Sequence, residues 1–257
     1  MKIGVCIKST PDTDTRIKIK DNAVDPTGIK WIISPYDAFA LEKAVQLKKK
    51  LGGEVVLFTV GDDSVQKNIR DGLAVGGDRA VHVNDEALAN TDSMGIAKAL
   101  AAAVKEEGIE LLFCGKKAVD GDNQQVPAML AEYLSWLQVT QITEFDAEEG
   151  AFTATRAVGG GVEQVVKGAL PAVVSAEVGL ATPRYAKLPD IMKAKRKKIL
   201  KKSLADLGLS ADDVAAKAVT TSYTLPPARS AGRILSGDRA AVVKELVNLL
   251  HNEAKVI

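Results

Sequence analysis

The sequence predicts an α/β fold: a parallel sheet with helices on both faces, added antiparallel strands and an extended C-terminal arm. Three observations carry this. From residue 2 to about 135, short apolar runs alternate with stretches of helical spacing, as parallel strands joined by crossover helices do. From Val139 to about Glu177 the period changes to two, and beyond Leu180 regular periodicity fades.

The strands of the first region are Ile3 to Ile7, Val55 to Val60, Ala80 to Val83 and Leu111 to Cys114, each running into a loop of Gly, Asp, Ser or Pro. Between them, Pro35 opens a helix whose Leu41, Ala44, Val45 and Leu51 share a stripe. Asp62-Asp63-Ser64 starts a second helix that ends near Gly76-Gly77. A third, from Thr91 to Glu107, stripes Ile96, Ala97, Leu100, Ala101 and Val104, and Pro127 opens a fourth. The period-two runs are VTQITEF, AFTATRAV, VEQVVKG and LPAVVSAEV, read together as antiparallel strands. The first two are joined by a turn over residues 146–150, the next by Gly159-Gly160-Gly161. Then come a basic run from Lys193 to Lys202, read as a solvated helix face, Pro226-Pro227, and a last amphipathic helix from about Asp238 to Leu250. The domain reading is 1–178 for the α/β domain with its antiparallel extension, 179–204 for a loop and basic helix, and 205–257 for the arm.

Composition narrows the function. Lys+Arg 34 against Asp+Glu 33 gives a net charge of +1, so there is no overall attraction to nucleic acid or anionic lipid. The basic run lacks interleaved aromatics, which argues against a single-strand stacking platform. Two cysteines, Cys6 and Cys114, sit in apolar runs, and two histidines, His82 and His251, have no metal-ligand neighbours in sequence. A disulfide framework, a soft-ligand metal site and His-dependent hydrolysis are therefore disfavoured. No run approaches the roughly 20 apolar residues of a membrane span. The expected setting is a reducing, soluble compartment.

Open parallel sheets bind ligands beyond the carboxyl ends of their strands. Three such loops stand out: Lys8 to Thr13, Gly61 to Ser64, and Gly115 to Pro127. The last precedes a helix start, whose outward-pointing amides suit phosphate. Asp120, Asp122, Asn123, Gln124, Gln125 and Val126 lie there, and Asp122 and Asn123 could equally be plain helix caps. Neither G-x-G-x-x-G nor G-x-x-x-x-G-K-[ST] is present, so neither the dinucleotide fingerprint nor a P-loop explains the site. No acid, base and nucleophile set is recognisable, so no catalytic residue is assigned.

The segment Pro183-Arg184-Tyr185-Ala186-Lys187-Leu188-Pro189-Asp190-Ile191-Met192-Lys193-Ala194-Lys195-Arg196-Lys197-Lys198-Ile199 closely resembles the recognition-loop region of the small (β) subunit of electron-transfer flavoproteins. Further blocks agree in order: Ser34-Pro35-Tyr36-Asp37 with Ala40-Leu41-Glu42, Leu73 to Ala80, Gly115 to Asp120, and Leu170 to Val174. The resemblance spans essentially the whole chain.

It implies an adenine-nucleotide-binding, Rossmann-like domain and one half of a heterodimer. The α subunit would hold most of the redox FAD, and the arm would pack on that subunit. The complex would pass single electrons from acyl-CoA or related flavin dehydrogenases to a quinone oxidoreductase, as in fatty acid β-oxidation. The chain would do no bond chemistry of its own. It would neither bind nucleic acid nor insert into a membrane, and would reside in a bacterial cytoplasm or, in a eukaryote, the mitochondrial matrix.

By the same resemblance AMP is buried in this subunit. Cys6 lies beside adenine, Ser34 stands where many relatives have Asn, Gly61 closes a neighbouring loop, and the stretch from Asp120 to Val126 cradles phosphate. Tyr36 approaches the flavin face. Glu163 would pair with an α-subunit Arg, and Tyr185, Leu188, Ile191 and Met192 would form the dehydrogenase contact. The loop departs from the carriers' D-x-D-x-N-x-T: Asp120-Gly121-Asp122-Asn123-Gln124-Gln125-Val126-Pro127 is nearer the D-G-D-T-A-Q-V-G of electron-bifurcating relatives. Those hold a second FAD in place of AMP and oxidise NADH, which is the alternative reading.

Overall fold

A computed structural model describes residues 1–148, 150–229 and 231–257. Chain contacts divide it into Met1–Ser222 and Tyr223–Ile257.

The first unit opens with β1 (Lys2–Cys6), β2 (Ser9–Pro11), β3 (Ile19–Lys20), β4 (Ala23–Val24) and β5 (Trp31–Ile33). Then follow α1 (Pro35–Leu51), β6 (Glu54–Val60), α2 (Gln66–Val75), β7 (Arg79–Val83), α3 (Ser93–Glu106), β8 (Leu111–Gly115) and α4 (Val126–Leu134). The unit continues through β9 (Leu137–Glu148), β10 (Ala151–Gly159), β11 (Val162–Ala169), β12 (Ala172–Ala176), α5 (Leu188–Ala194) and β13 (Ile199–Lys202). Nine strands form one sheet in the order β11-β10-β9-β12-β8-β1-β6-β7-β13. Its strands pair in parallel from β9 to β13, and β10 is antiparallel to both β9 and β11. Two small antiparallel ribbons, β2 with β5 and β3 with β4, lie in the segment after β1.

Period two in the central strands sorts side chains between two cores. Val55 and Leu57 of β6 enter one cluster with Leu41, Val45, Ile69 and Leu73, while Val56 and Phe58 enter the other with Leu100, Val104, Leu112 and Leu130. Each fully buried side chain of this size contributes about 1.5–3 kcal/mol by leaving water. Gly159, Gly160 and Gly161 all have positive φ, at 90°, 61° and 76°. Left-handed backbone is disfavoured for other L-residues, so the triple glycine is what lets β10 turn into β11.

Four expectations change. LPAVVSAEV is not antiparallel: β12 lies between β8 and β9, parallel to both, and all five of its residues are buried. The second helix is preceded by a tight turn over Asp63–Val65, capped by Asp62 accepting from Ser64 N at 2.9 Å. The basic run is not one helix: α5 is short, and Ile199–Lys202 is an edge strand paired with β7. The expected arm boundary at residue 205 has no counterpart in the chain contacts. Residues 205–222 belong to the first unit, where Val214 is fully buried and Lys98 Nζ bonds Asp213 Oδ1 at 2.6 Å. The expected 146–150 turn includes Glu149, which lies outside the described residues.

The second unit carries α6 (Arg239–Asn248), capped by Asp238 accepting from Ala240 N at 3.1 Å. Val243, Leu246 and Val247 of this helix are exposed, and it buries none of its own residues.

Candidate functional site

The strand order reverses at β1: the chain adds β6 and β7 on one side and then returns to place β8 on the other. Such a switch point leaves a crevice beyond the strand ends. Cys6 and Cys114 meet there. β1 and β8 are parallel with Val5 opposite Phe113, so the two thiols are neighbours in register. Both are free and buried. The Cys114 thiol, hydrogen-bonded to Cys6 and deprived of water, is pushed well above its ordinary pKa and stays protonated.

Asp37, in the first turn of α1, ties the two strand ends together. Its Oδ2 accepts from Lys8 N at 2.8 Å and its Oδ1 from Gly115 N at 2.9 Å. Burial pushes its carboxyl from 3.8 to about 7 even against those two N–H donors and the nearby Lys8 charge. Ser34 is wholly buried beside it, its N–H donating to Lys8 O at 2.9 Å and its hydroxyl to Lys117 O at 3.5 Å.

The loop after β8 is held by ions and by strained backbone. Lys8 Nζ bridges both oxygens of Asp120 at 2.9 and 2.7 Å, and Lys117 Nζ bonds Asp122 Oδ2 at 2.7 Å. Lys117 also stands 5.9 Å from the centroid of the Tyr36 ring. Asp122 and Gln124 take φ of 52° and 56°, left-handed backbone that is uncommon for non-glycine residues and that Asp21, Asn22, Ser135, Gln141 and Lys255 also adopt in this chain. The capping alternative fails. Gln125 is the residue that caps α4, it makes no side-chain cap bond, and Asp122 is engaged by Lys117. In the first turn of α4, Pro127 has no N–H and Met129 N donates to Gln125 O at 3.1 Å, which leaves the Val126 and Ala128 N–H groups without a side-chain acceptor among the described residues, as at helix starts that bind anions.

The structure thus brings Cys6, Ser34, Tyr36, Asp120, Asp122, Asn123, Gln124, Gln125 and Val126 to the carboxyl ends of β1 and β8 and the loop that follows β8. Val126 is half-buried against the core and offers only its backbone. Gly61 ends β6, one strand away from β1, and its carbonyl accepts from His82 Nε2 at 2.8 Å. Glu163 is not in this group: it is exposed on β11 opposite Ala157. Lys8, Asp37 and Lys117 are site residues absent from the sequence-derived set. An acid two residues past the helix-opening Pro35 was the available sign of Asp37.

The segment from Arg184 to Lys197 forms a separate surface. Tyr185 is 96% exposed, Leu188 73%, Met192 55% and Ile191 42%. Leu188 does begin α5, yet that position leaves its side chain in solvent. Arg184 binds Glu42 of α1 through two bonds of 2.6 Å. Burial of Glu42 is outweighed by the bonds from Arg184 and Gln46, which hold its carboxyl below the ordinary range.

The family model described as "Electron transfer flavoprotein domain" matches residues 21–207. The chain belongs to the electron transfer flavoprotein family. It is 41% identical over 258 residues to the electron transfer flavoprotein subunit beta of Bacillus subtilis, with 100% of both chains covered. It is 37% identical to the protein of that name from Bradyrhizobium diazoefficiens, again over 100% of both. The mouse protein of that name is 38% identical, covering 89% of this chain and 90% of its own. Among the described residues no helix is long and apolar enough to cross a membrane.

Proposed function

We propose that this chain is the β subunit of a heterodimeric electron carrier: it holds AMP in the β1/β8 crevice and presents Leu188 to a flavin dehydrogenase. The observation that carries the nucleotide reading is the uncapped α4 start beside the left-handed Asp122 and Gln124. The donor set fits such a ligand. The α4 amides suit a phosphate, with Gln124 and Gln125 as side-chain candidates. Lys8 and Lys117 are cations that could exchange their present carboxylate partners for it. Cys6 and Ser34 line the buried side, where a flat base meets apolar and small groups.

The redox FAD, held mainly by the α subunit, would supply single-electron exchange between dehydrogenase and quinone oxidoreductase. This chain's part is to bind, orient and dock. Tyr36, half-buried at the crevice edge, and Glu163, exposed on β11, are the residues we assign toward the flavin and the α-subunit Arg. The exposed apolar side chains of α6 fit a helix that lies on the α subunit. Such a carrier belongs in a bacterial cytoplasm or a mitochondrial matrix.

A second reading has its own observation. Val126 has no hydroxyl to offer a phosphate, and Gln125-Val126 match the Q-V of the bifurcating pattern where the carriers have x-T. The deciding experiment is co-expression with the α subunit and analysis of the heat-released extract. One FAD with about one AMP supports the carrier; two FAD without AMP replaces it with the bifurcating subunit, and no nucleotide beyond one FAD refutes a ligand in this crevice.

A further inference from the structure

The docking surface is tied down at both ends by charged side chains. At its start, Arg184 donates Nε to Glu42 Oε2 and Nη2 to Glu42 Oε1, each at 2.6 Å. The Glu42 side chain is only 4% exposed, and Gln46 Nε2 adds a bond at 2.9 Å. At the other end, Arg70 Nη1 donates to Ala194 O and Lys197 O, both at 2.7 Å. Lys197 Nζ reaches back to Leu73 O at 2.8 Å and Gly77 O at 2.6 Å. Between these ties Ala194 is the one buried residue of α5, while Tyr185, Leu188, Ile191 and Met192 face solvent.

Besides the fork, the start of this stretch is held by Ala186, which packs half-buried against the core. Residues 181–187 have no regular structure, and α5 is only seven residues long, too short to be stable alone. The pair is buried on the Glu42 side only, since 38% of the Arg184 side chain is exposed, and an ion pair of this kind adds little stability. What a two-bond guanidinium–carboxylate fork does add is direction: it fixes both the distance and the plane of the groups it joins. Leu188 lies four residues beyond the fork. A segment already ordered before contact loses less freedom on docking, which strengthens binding without a new contact.

We infer that the Glu42–Arg184 pair is a positioning element that pre-orders the docking segment, setting how tightly the electron donor binds while touching neither donor nor flavin. The inference rests on the proposed docking role of Leu188, and the test separates the two. The assembled heterodimer is used, with an acyl-CoA dehydrogenase as donor. Amide hydrogen exchange over residues 183–194 and the KM and kcat of flavin reduction are measured for the wild type, Arg184→Lys, Arg184→Ala and the pair Glu42→Gln with Arg184→Gln. Each is repeated in a Leu188→Ala background.

The expected result is faster exchange over 183–194 and a KM raised about tenfold, with kcat and flavin content unchanged. Arg184→Lys should recover only part of this, because it keeps the charge and loses the fork. In the Leu188→Ala background the KM effect should vanish, since the fork then has nothing to position. Should Arg184→Ala not assemble, the Lys and paired Gln variants carry the same comparison. Unchanged exchange overturns the clamp. Faster exchange with an unchanged KM, where Leu188→Ala alone does raise KM, overturns its role in docking. If Leu188→Ala itself leaves KM at the wild-type value, the docking reading falls and this inference falls with it.

Discussion

Asp37 makes stability depend on pH in the direction opposite to most carboxylates. Its ordinary value is 3.8 and its folded value about 7, because it is buried and its two N–H donors only partly offset the lost hydration. The folded state therefore holds this proton longer than the unfolded chain does. Its contribution is complete below about pH 4 and is lost as pH rises toward 7. Each pH unit between the two values costs about 1.4 kcal/mol, so roughly 4 kcal/mol is lost in all and about 2–3 kcal/mol of it between pH 5 and pH 8. The groups that face Asp37 are Lys8, Asp120 and Cys114, and none is removed by the isosteric change Asp37→Asn. The assay is chemical denaturation of the purified protein and this variant at pH 5, 6, 7 and 8. Taking the difference at each pH cancels the titrating groups that do not interact with Asp37. The wild type should lose ground to the variant steadily across the series, by about 2–3 kcal/mol. A difference constant to within about 0.5 kcal/mol would refute a proton on Asp37 near neutrality.

The other predictions concern the same crevice and the two surfaces. Gly115→Ala would put a methyl against the Asp37 carboxylate and 2.7 Å from Tyr36 Cβ, so it should destabilise by about 1–3 kcal/mol in urea unfolding. Gly121→Ala, whose new methyl meets nothing closer than 3.7 Å, should stay within about 0.5 kcal/mol. Leu188→Ala should leave the heterodimer and its ligands intact but lower kcat/KM with the dehydrogenase about 30-fold, the loss of a 2 kcal/mol hot spot. Stopped-flow association should also slow with added salt if Lys187, Lys193 and Lys195 steer the encounter, and a salt-independent rate would remove that role. Glu163→Lys should change the electron-transfer rate with nucleotide content fixed; unchanged kinetics would make Glu163 an ordinary exposed strand residue.

The crevice was legible because its parts follow from local rules. Apolar runs ending in polar loops mark strand ends, and a Pro-opened helix after Gly115 marks an amide-rich start. Asp37 was not legible as a site residue, because its role depends on two backbone N–H groups, of Lys8 and Gly115, that are 29 and 78 residues away. Nothing in the spelling of α1 distinguishes that acid from a solvated one. The same holds for Glu42, which has the look of a surface helix residue yet is buried and bound by Arg184 from 142 residues away.

The misassigned strands follow a single physical pattern. β12 reads AVVSA, a run with no polar alternation, which is how strands buried on both faces are spelled. Its neighbours alternate, and grouping it with them assigned it to the half-exposed extension when it pairs with β8 at the centre. β13 errs the other way. ILKK carries its lysines at a sheet edge, where charge is expected because it discourages pairing with another chain, and edge strands therefore resemble solvated helix faces in sequence. The stretch from 205 to 214 has no period at all, since it is built from short turns. Ser203 and Asp206 close one, and Ser210 and Asp213 the next, each through the Ser hydroxyl and the Asp carboxylate. Leu204 and Val214 are buried in the core, and Leu207 and Leu209 pack half-buried against it. Apolar residues at 204, 207, 209 and 214 keep neither a helical nor a strand period, yet together with the Lys98–Asp213 bond they fix this stretch against α3.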